Sequence, residues 1–591
     1  SSAQNVTSSG QIQFNAGAIT PIDALPGEIH SLVIANSALT STGYDLALSA
    51  DAIDATSATI NANRLTAGIN NAPAPGVAGG NDGGLLTANC VQGNICLGAV
   101  STPTQILVGP ATGAVGLANR VTIAGSLASN NISIRARDAV AFAGPLSVSA
   151  ANSLLVSVLN GPIDLTGAVS LSGINALNLY AGSGAITGPN AALSSNGNIG
   201  LFATAGITLG SIDTVGVLNT IAGDGSVTTA GSLVTLGNVT VTGQLAVRGG
   251  AANINSGGAI STGSILTTAG NDVLLTSVGA QSLGNVASGR DVIISAASLN
   301  ATSVTAPRNI NAVVSGSTTL GNASGALITM RAGQDVTFNG TATATTALDI
   351  AANGQTAFNG VASAPNITVR SGNIAIGAAG RLGTIGTTQN VILTNSAGAQ
   401  MTIGGSGVTG GYSLSDAEIA RIFGDSIDIS WTSSLANTGT PVPPPTGGFT
   451  QPSITVGSLT LASRASNAAG NIAANGTLSI RTSGTMLVNG AVALNGAGSG
   501  NTVRLSADQS LQILAGQGSI SIRDGANALA GILSLNSNNI IAASPSAIAD
   551  IAGQTDRALI NTRLGMNDGF ISDTGILSAG TVNLNVVNNA L

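Results

Sequence analysis

Few residues in this chain could do chemistry, and most of them stand far apart. The aspartates form two close groups: Asp45, Asp51 and Asp54, and then Asp425 and Asp428. Carboxylates at such spacing can bind calcium, or act as acid and base on a glycosidic bond. The alternative is a turn or edge role. The remaining aspartates are scattered and many sit at turn signals, so the pattern favours the structural role.

Two other patterns could belong to an enzyme. A nucleophilic triad would have to use His30, the single histidine, which lies in the apolar segment HSLVIA. Gly405, Gly407 and Gly410 match the spacing of a dinucleotide fingerprint, but 81 glycines in 591 residues produce this spacing by chance. We therefore interpret His30 as structural and these glycines as turn residues. The sequence predicts a protein that is not an enzyme and that carries no cofactor or metal.

The two cysteines, Cys90 and Cys96, lie six residues apart in NCVQGNICLG. A close pair in a chain with no other cysteine is typical of a short-loop disulfide formed in an oxidising compartment. Free thiols are the alternative, whereas a zinc site would need about four ligands. The pair predicts a disulfide and a secreted or extracellular protein.

Charge and hydropathy exclude several partners. The chain has 17 basic residues, 24 acidic residues and a net charge of −7, and only 7% of its residues are charged. No basic surface for nucleic acid or anionic lipid is expected from this balance. No segment reaches the roughly 18 apolar residues that a membrane span requires, so no membrane insertion is expected.

The clearest repeat lies between Thr267 and Gly340, where a turn, then Asp or Asn, then an apolar run recurs in NDVLL, RDVII, RNINAVV and QDVTF. The intervals between the acidic or amide residues are 19, 18 and 26, and the last predicts one unit plus an insertion. A period near 20 is typical of one coil of a parallel β-solenoid. Gly270, Gly289 and Gly333 are expected at equivalent turns. The predicted repeat corners are Gly270, Asp272, Gly289, Asp291, Asn309, Gly333 and Asp335.

The predicted fold is all-β: a single long right-handed parallel β-helix of about 24 coils, at about 20 residues per coil. Two excursions interrupt it. Ser415 and Glu418 form a capping-box signature that predicts a short helix in the second, with Asp416 and Arg421 placed to suit the helix dipole. The predicted segments are opening coils 1–66, a cysteine-containing excursion 67–104, central coils 105–410, a helix and Pro-rich loop 411–453, and closing coils 454–591.

AGNDVLL (Ala269 to Leu275), SGRDVII and AGQDVTF resemble the coil repeats of the filamentous-haemagglutinin family of secreted bacterial exoproteins. SLSDAEIARI (Ser413 to Ile422) is similar to a short helical insertion of long relatives. The resemblance implies a right-handed parallel β-helix. It also implies a role as an adhesin, a toxin stalk or a matrix fibre.

Three further patterns carry functional alternatives. Tyr412 and Trp431 flank the predicted helix, where they could pack it against the coils or bind a glycan. Thr-x-Thr pairs suggest an ice-binding face, but they recur irregularly: Thr240 and Thr242, and Thr341, Thr343 and Thr345. In TVNLNVV the alternation places Asn583 and Asn585 outward on a strand edge that another chain could extend.

These observations predict a secreted or surface-presented fibrous bacterial adhesin or structural exoprotein that contacts a host or matrix surface. The alternative is a subunit that self-associates end to end into an extracellular filament. A polysaccharide-active β-helix enzyme is a third and weaker interpretation.

Overall fold

Short strands follow the alternation of apolar and polar residues, and they stack as parallel coils. In Val273–Ser277 and Val292–Ala296 the side chains alternate between buried and outward positions. Successive side chains of a strand point to opposite faces, so Val273, Leu275, Val292 and Ile294 lie inside, whereas Ile293 points outward. The described residues are nearly all β, and their parallel sheets form a β-solenoid architecture of about 17 turns, which confirms the predicted fold class.

The structure, a computed structural model, describes residues 5–8, 12–15, 31–70, 90–109, 117–167, 169–214, 218–222, 238–247, 252–256, 259–267, 270–396, 400–406, 411–431, 453–464, 470–513, 519–526, 528, 530–537, 540–541, 560–561, 576–578 and 581–586. They belong to two units, unit 1 (Ser1–Ala301) and unit 2 (Thr302–Leu591).

The strands of unit 1 are β1 (Asn5–Ser8), β2 (Ile12–Asn15), β3 (Ser31–Val33), β4 (Ala38–Ala50), β5 (Ala52–Ile69), β6 (Asn94–Ser101), β7 (Gln105–Val108), β8 (Ala118–Ile123), β9 (Leu127–Phe142), β10 (Ser147–Val158), β11 (Ile163–Asp164), β12 (Ser170–Gly173), β13 (Ala176–Ala181), β14 (Ala185–Ser195), β15 (Asn198–Ala203), β16 (Gly206–Thr214), β17 (Leu218–Ala222), β18 (Asn238–Val247), β19 (Ala252–Ser256), β20 (Ile260–Thr267), β21 (Val273–Ser277), β22 (Ala280–Ala287) and β23 (Val292–Ala296).

Strand β24 (Ser298–Thr305) contains the boundary between the units. Unit 2 has one helix among its described residues, α1 (Asp416–Ile419). Its strands are β25 (Asn309–Val314), β26 (Thr318–Ala332), β27 (Val336–Phe338), β28 (Ala342–Ala352), β29 (Gln355–Phe358), β30 (Val361–Ser363), β31 (Asn366–Ser371), β32 (Asn373–Ile376), β33 (Arg381–Leu382), β34 (Asn390–Asn395), β35 (Met401–Ile403), β36 (Tyr412–Leu414), β37 (Gly424–Trp431), β38 (Ser453–Val456), β39 (Leu459–Ala462), β40 (Ile472–Thr482), β41 (Thr485–Val488), β42 (Ala491–Asn495), β43 (Thr502–Ala507), β44 (Ser510–Ile513), β45 (Ser519–Ile522), β46 (Ile532–Ser537), β47 (Ile540–Ile541), β48 (Ile560–Asn561), β49 (Ile576–Ser578) and β50 (Thr581–Val586).

A ladder of aliphatic side chains forms the core of unit 1. Each member pairs in parallel register with the next, and each is at most 1% exposed: Leu46, Leu65, Ile106, Ile132, Leu154, Leu177, Ile199 and Leu218. Burying one such side chain is worth about 1.5–3 kcal/mol. Because one coil cannot cover its own apolar face, this stabilisation exists only when coils stack.

Unit 2 has the same construction. Its aliphatic ladder is at most 1% exposed and comprises Ile310, Ile328, Leu348, Ile367, Val391, Ile427, Leu478, Val503 and Leu533. Two further columns of parallel strands stand beside it in the later coils, one through β35, β38, β41, β44 and β47, and one through β39, β42, β45 and β49. Each of these coils therefore has three faces.

Coil length varies, and the later coils are longer than the sequence period suggested. Ile310 pairs with Ile328, 18 residues later, whereas Leu478 pairs with Val503 after 25 residues and Val503 with Leu533 after 30. The prediction of about 24 coils rested on a uniform length of about 20 residues. It was too high, because turns of unequal length consume residues that add no coil.

Both predicted excursions contain wall strands. Within 67–104, β5 continues to Ile69, and β6 lies in the wall and pairs Cys96 with Asp54. Within 411–453, β36 and β37 lie in the wall on either side of α1. Two parts of the predicted excursions, 71–89 and the Pro-rich 432–452, lie outside the described residues. No helix in the described ranges is long and apolar enough to cross a membrane.

The strand that carries Asn583 and Asn585, β50, pairs with two other strands. β50 pairs with β46, which places Asn583 beside Ser534, and with β48, which places Asn585 beside Asn561. The edge predicted to be open for another chain is thus already paired at Leu584 and Asn585.

Candidate functional site on the outward wall

The first repeat corners form a contact between neighbouring coils of unit 1. Arg290 Nε donates to Asp272 Oδ1 over 2.7 Å, and the N–H of Asp291 donates to the same oxygen over 3.2 Å. The hydrogen bond and charge of Asp272 raise the pKa of Arg290. Gly270 adopts a φ of +86°, which favours glycine, and Gly289 N–H donates to Thr267 Oγ1. These corners hold the turn and join one coil to the next.

The later repeat copies do not share one position in their coils. Asn309 pairs with Leu327, and Val336, which follows Asp335, pairs with Thr318. The expectations that one insertion separates Asn309 from Asp335, and that Gly333 continues the series of equivalent turns, were therefore wrong. The 26-residue interval from Asn309 to Asp335 spans one full coil and then one further face of the next coil. The two copies look alike in sequence because two faces of a coil begin with the same kind of turn.

Asp335 and Gly333 still form a corner on that face. Asp335 Oδ1 accepts the N–H of Gln355 over 2.7 Å. A Cβ at Gly333 would lie 1.9 Å from the carbonyl oxygen of Ser315, so the close approach of two coils requires glycine here.

The two aspartate groups are engaged in structural contacts. Asp45 forms an ion pair with Arg64 at 2.6 Å, and Asp54 Oδ1 accepts from the Thr56 hydroxyl at 2.7 Å. In unit 2, Asp425 pairs with Arg464 and Asp428 pairs with Arg481. Within the described ranges no three residues among His, Cys, Asp and Glu are grouped so that they could hold a metal ion. Asp51 is buried, at 1% exposed.

An asparagine ladder was missed from the sequence. Asn175 Nδ2 donates to Asn152 Oδ1 over 2.6 Å, and Asn152 Nδ2 donates to Asn131 Oδ1 over 2.7 Å. Stacked asparagines at one corner satisfy each other's amides from coil to coil. The signal was present in the spacing, because Asn131, Asn152 and Asn175 recur after 21 and 23 residues.

The predicted helix and its cap are confirmed. Ser415 Oγ accepts the N–H of Glu418, and the Glu418 carboxylate accepts the N–H of Ser415 over 2.9 Å. Glu418 also accepts the N–H of Ile376 over 3.0 Å, which ties the helix to a wall strand. Arg421 lies beyond the last residue of the four-residue helix and donates to the carbonyl of Ile376 instead.

Tyr412 and Trp431 are 1% and 5% exposed, so in this structure both pack inside the coils. Burial, with a smaller contribution from Glu418, raises the pKa of Tyr412 far above its usual range. The phenol is therefore neutral at any physiological pH.

Cys90 and Cys96 form a disulfide with a Cα–Cα distance of 5.8 Å, as predicted. Both residues are buried, and Cys96 lies in wall strand β6, between Asp54 and Thr122 of the neighbouring coils. The disulfide therefore fastens the segment before β6 to the wall.

The remaining motifs carry little. Thr343 is exposed but stands between Ser324 and Ser363, so no threonine column forms there. The side chains of Thr240 and Thr242 lie outside the described residues, as do His30, Gly407 and Gly410. Gly405 has a φ of +70° and serves a turn.

No protein-family model, curated protein or solved structure matches the chain. The class of protein that the fold defines is a parallel β-solenoid, and its function has to be inferred from the wall itself.

Proposed function

We propose that the chain is a secreted or surface-presented structural exoprotein, a fibrous adhesin whose solenoid wall binds a host, cell or matrix surface. The observation that carries the proposal is how the wall uses its charges. Arg331 and Asp349 join neighbouring coils at 2.6 Å, and the pairs Arg290–Asp272 and Arg481–Asp428 do the same. Charged side chains that pair between coils keep the surface of the wall rigid. Such a surface is better suited to binding another surface than to catalysis.

Three further features support this proposal. The Cys90–Cys96 disulfide is typical of proteins outside the reducing cytosol. The repeats AGNDVLL and SGRDVII resemble those of the filamentous-haemagglutinin family, whose members act at bacterial surfaces. The outward residues are mostly Ser, Thr, Asn and Gly, with exposed apolar side chains such as Tyr44, Leu159 and Ile174. Such a wall can bind by shape and scattered polar contacts.

The proposal can be tested by a pull-down with insoluble polysaccharide material in which the release of soluble sugar is also measured. We expect the purified chain to sediment with insoluble matrix or cell-wall material while no soluble sugar is released over time. Reducing ends that accumulate with time would instead favour a polysaccharide-active enzyme. A folded chain that stays in the supernatant with every material would contradict the proposal.

A second candidate is self-association into an extracellular filament through β50. Among the described residues, its outer edge is paired by β48 at Leu584 and Asn585 alone, and free peptide groups of an edge strand can pair with another chain. Its signature would be light scattering that rises with chain concentration and is abolished by Asn583→Asp with Asn585→Asp. Adhesion by a chain that stays monomeric would separate the first candidate from this one.

A further inference from the structure

One outward column of unit 1 differs from the polar wall around it. Parallel register places Arg135 of β9 beside Ser157 of β10, Ser157 beside Tyr180 of β13, and Tyr180 beside Phe202 of β15. The rings of Tyr180 and Phe202 lie 6.3 Å apart between centroids and are tilted by 37°. In a chain with only 2% aromatic residues, two neighbouring coils thus present aromatic rings on the outside.

These residues line an open groove of about 360 Å³. Its floor is the buried pair Ala136 and Val158, and its apolar sides include Leu117 and Leu159, the latter 52% exposed. Gly182 also lines the groove, and a side chain is not tolerated there, because a Cβ would lie 2.0 Å from the carbonyl oxygen of Leu159. A volume of this size suits a small ligand or a short stretch of a polymer.

The groove also holds an uncompensated positive charge. The side chain of Arg135 makes no hydrogen bond or ion pair with a residue that the structure describes, and its Nε atom is buried without a partner. Two positions along the same strand, Arg137 contacts Asp138 at 3.3 Å. The described lining contains no Asp or Glu. No described acidic residue of the lining competes for this guanidinium, and a carboxylate is the partner that guanidinium geometry fits best.

We propose that this groove binds a carboxylate-bearing sugar of an acidic polysaccharide. The apolar face of the sugar ring packs on Tyr180 and Phe202, its carboxylate accepts from Arg135, and the Ser157 hydroxyl bonds a ring substituent. Aromatic faces offer apolar contact while the polar groups fix orientation. Neighbouring coils are about 4.8 Å apart, a rise similar to that of one sugar unit in an extended chain, so successive units can follow the column. This inference rests on the proposed adhesive function and names a ligand class for it.

Calorimetric titration of the full chain tests the groove, with the trimer of galacturonic acid as probe and the trimer of galactose as its neutral counterpart. We expect the acidic trimer to bind and the neutral trimer to bind at least about tenfold more weakly, because a charge-assisted hydrogen bond is lost. Arg135→Gln should abolish this preference. Tyr180→Ala should weaken binding by about tenfold, and Tyr180→Phe, which keeps the ring, should not.

Tyr44→Ala is the matched control, since Tyr44 is 49% exposed in the same unit but outside the groove. Failure of the acidic trimer to bind, equal binding of both trimers, or equal loss in Tyr44→Ala and Tyr180→Ala would overturn the inference. Equal sedimentation of the wild-type chain and Tyr180→Ala with matrix material would show that the groove is not the binding site, while the adhesive function would still stand.

Discussion

Replacing Gly284 by alanine is expected to lower the free energy of unfolding of unit 1 by about 3 kcal/mol, near the upper end of what overpacking costs. Gly284 stacks on Gly263, because Thr262 pairs with Leu283 and Ser264 with Asn285. A Cβ on Gly284 would lie 1.4 Å from the carbonyl oxygen of Gly263. No side-chain rotation relieves a clash with backbone, so the two coils must separate.

The control is Gly68→Ala in β5. An added Cβ at Gly68 meets no atom within 4 Å, so its effect should stay within about 0.5 kcal/mol. Urea unfolding followed by circular dichroism measures both variants, and hydrogen exchange of β20 and β22 locates the loss. Equal stability of the two variants would mean that these coils are not stacked in the register described.

Asn501→Ala should destabilise unit 2 by roughly 3–5 kcal/mol, because each buried polar group left without a partner costs about 1–3 kcal/mol. Asn501 is fully buried. Its Nδ2 donates to the carbonyls of Ala473 and Gly476, at 2.8 and 3.3 Å. Its Oδ1 accepts from Ser463 Oγ and from the N–H of Gly498, each at 2.9 Å. One side chain therefore satisfies four groups where the coil bends.

Asn359→Ala is the matched comparison. Asn359 donates to Asn339 over 2.9 Å at an exposed position, where water replaces the lost bond, and its effect should remain below about 1 kcal/mol. The denaturation midpoint and the hydrogen exchange of β40 and β43 give the two values. If Asn501→Ala were as mild as Asn359→Ala, the buried amide could not be what fixes the bend.

Local rules were enough to predict the fold class. Alternating runs such as VIISA require one buried face, and Ser415 with Glu418 specified the helix start through contacts three residues apart. The position of Asp335 could not be predicted, because every face of a coil begins with a similar turn and the same residue types suit each corner. The coil count failed for a related reason, since turn length varies without changing the strand pattern.

The groove could not be predicted from local sequence rules, because it depends on the register between coils. Arg135, Ser157, Tyr180 and Phe202 belong to four strands, and only the coil register shows that their side chains share a column. A signal was nevertheless present. These residues follow one another after 22, 23 and 22 residues, a regular interval that aligning outward positions coil by coil would have revealed.

We propose above that the folded wall of this protein adheres to a surface. The most direct test is the detachment of chain-coated beads from a matrix or cell layer under increasing flow. We expect beads carrying the wild-type chain to resist a shear that removes beads carrying the urea-unfolded chain. Adhesion should not require the chain to self-associate. Detachment of both kinds of bead at the same shear on every surface tried, with the wild-type coating shown to be folded, would contradict this proposal.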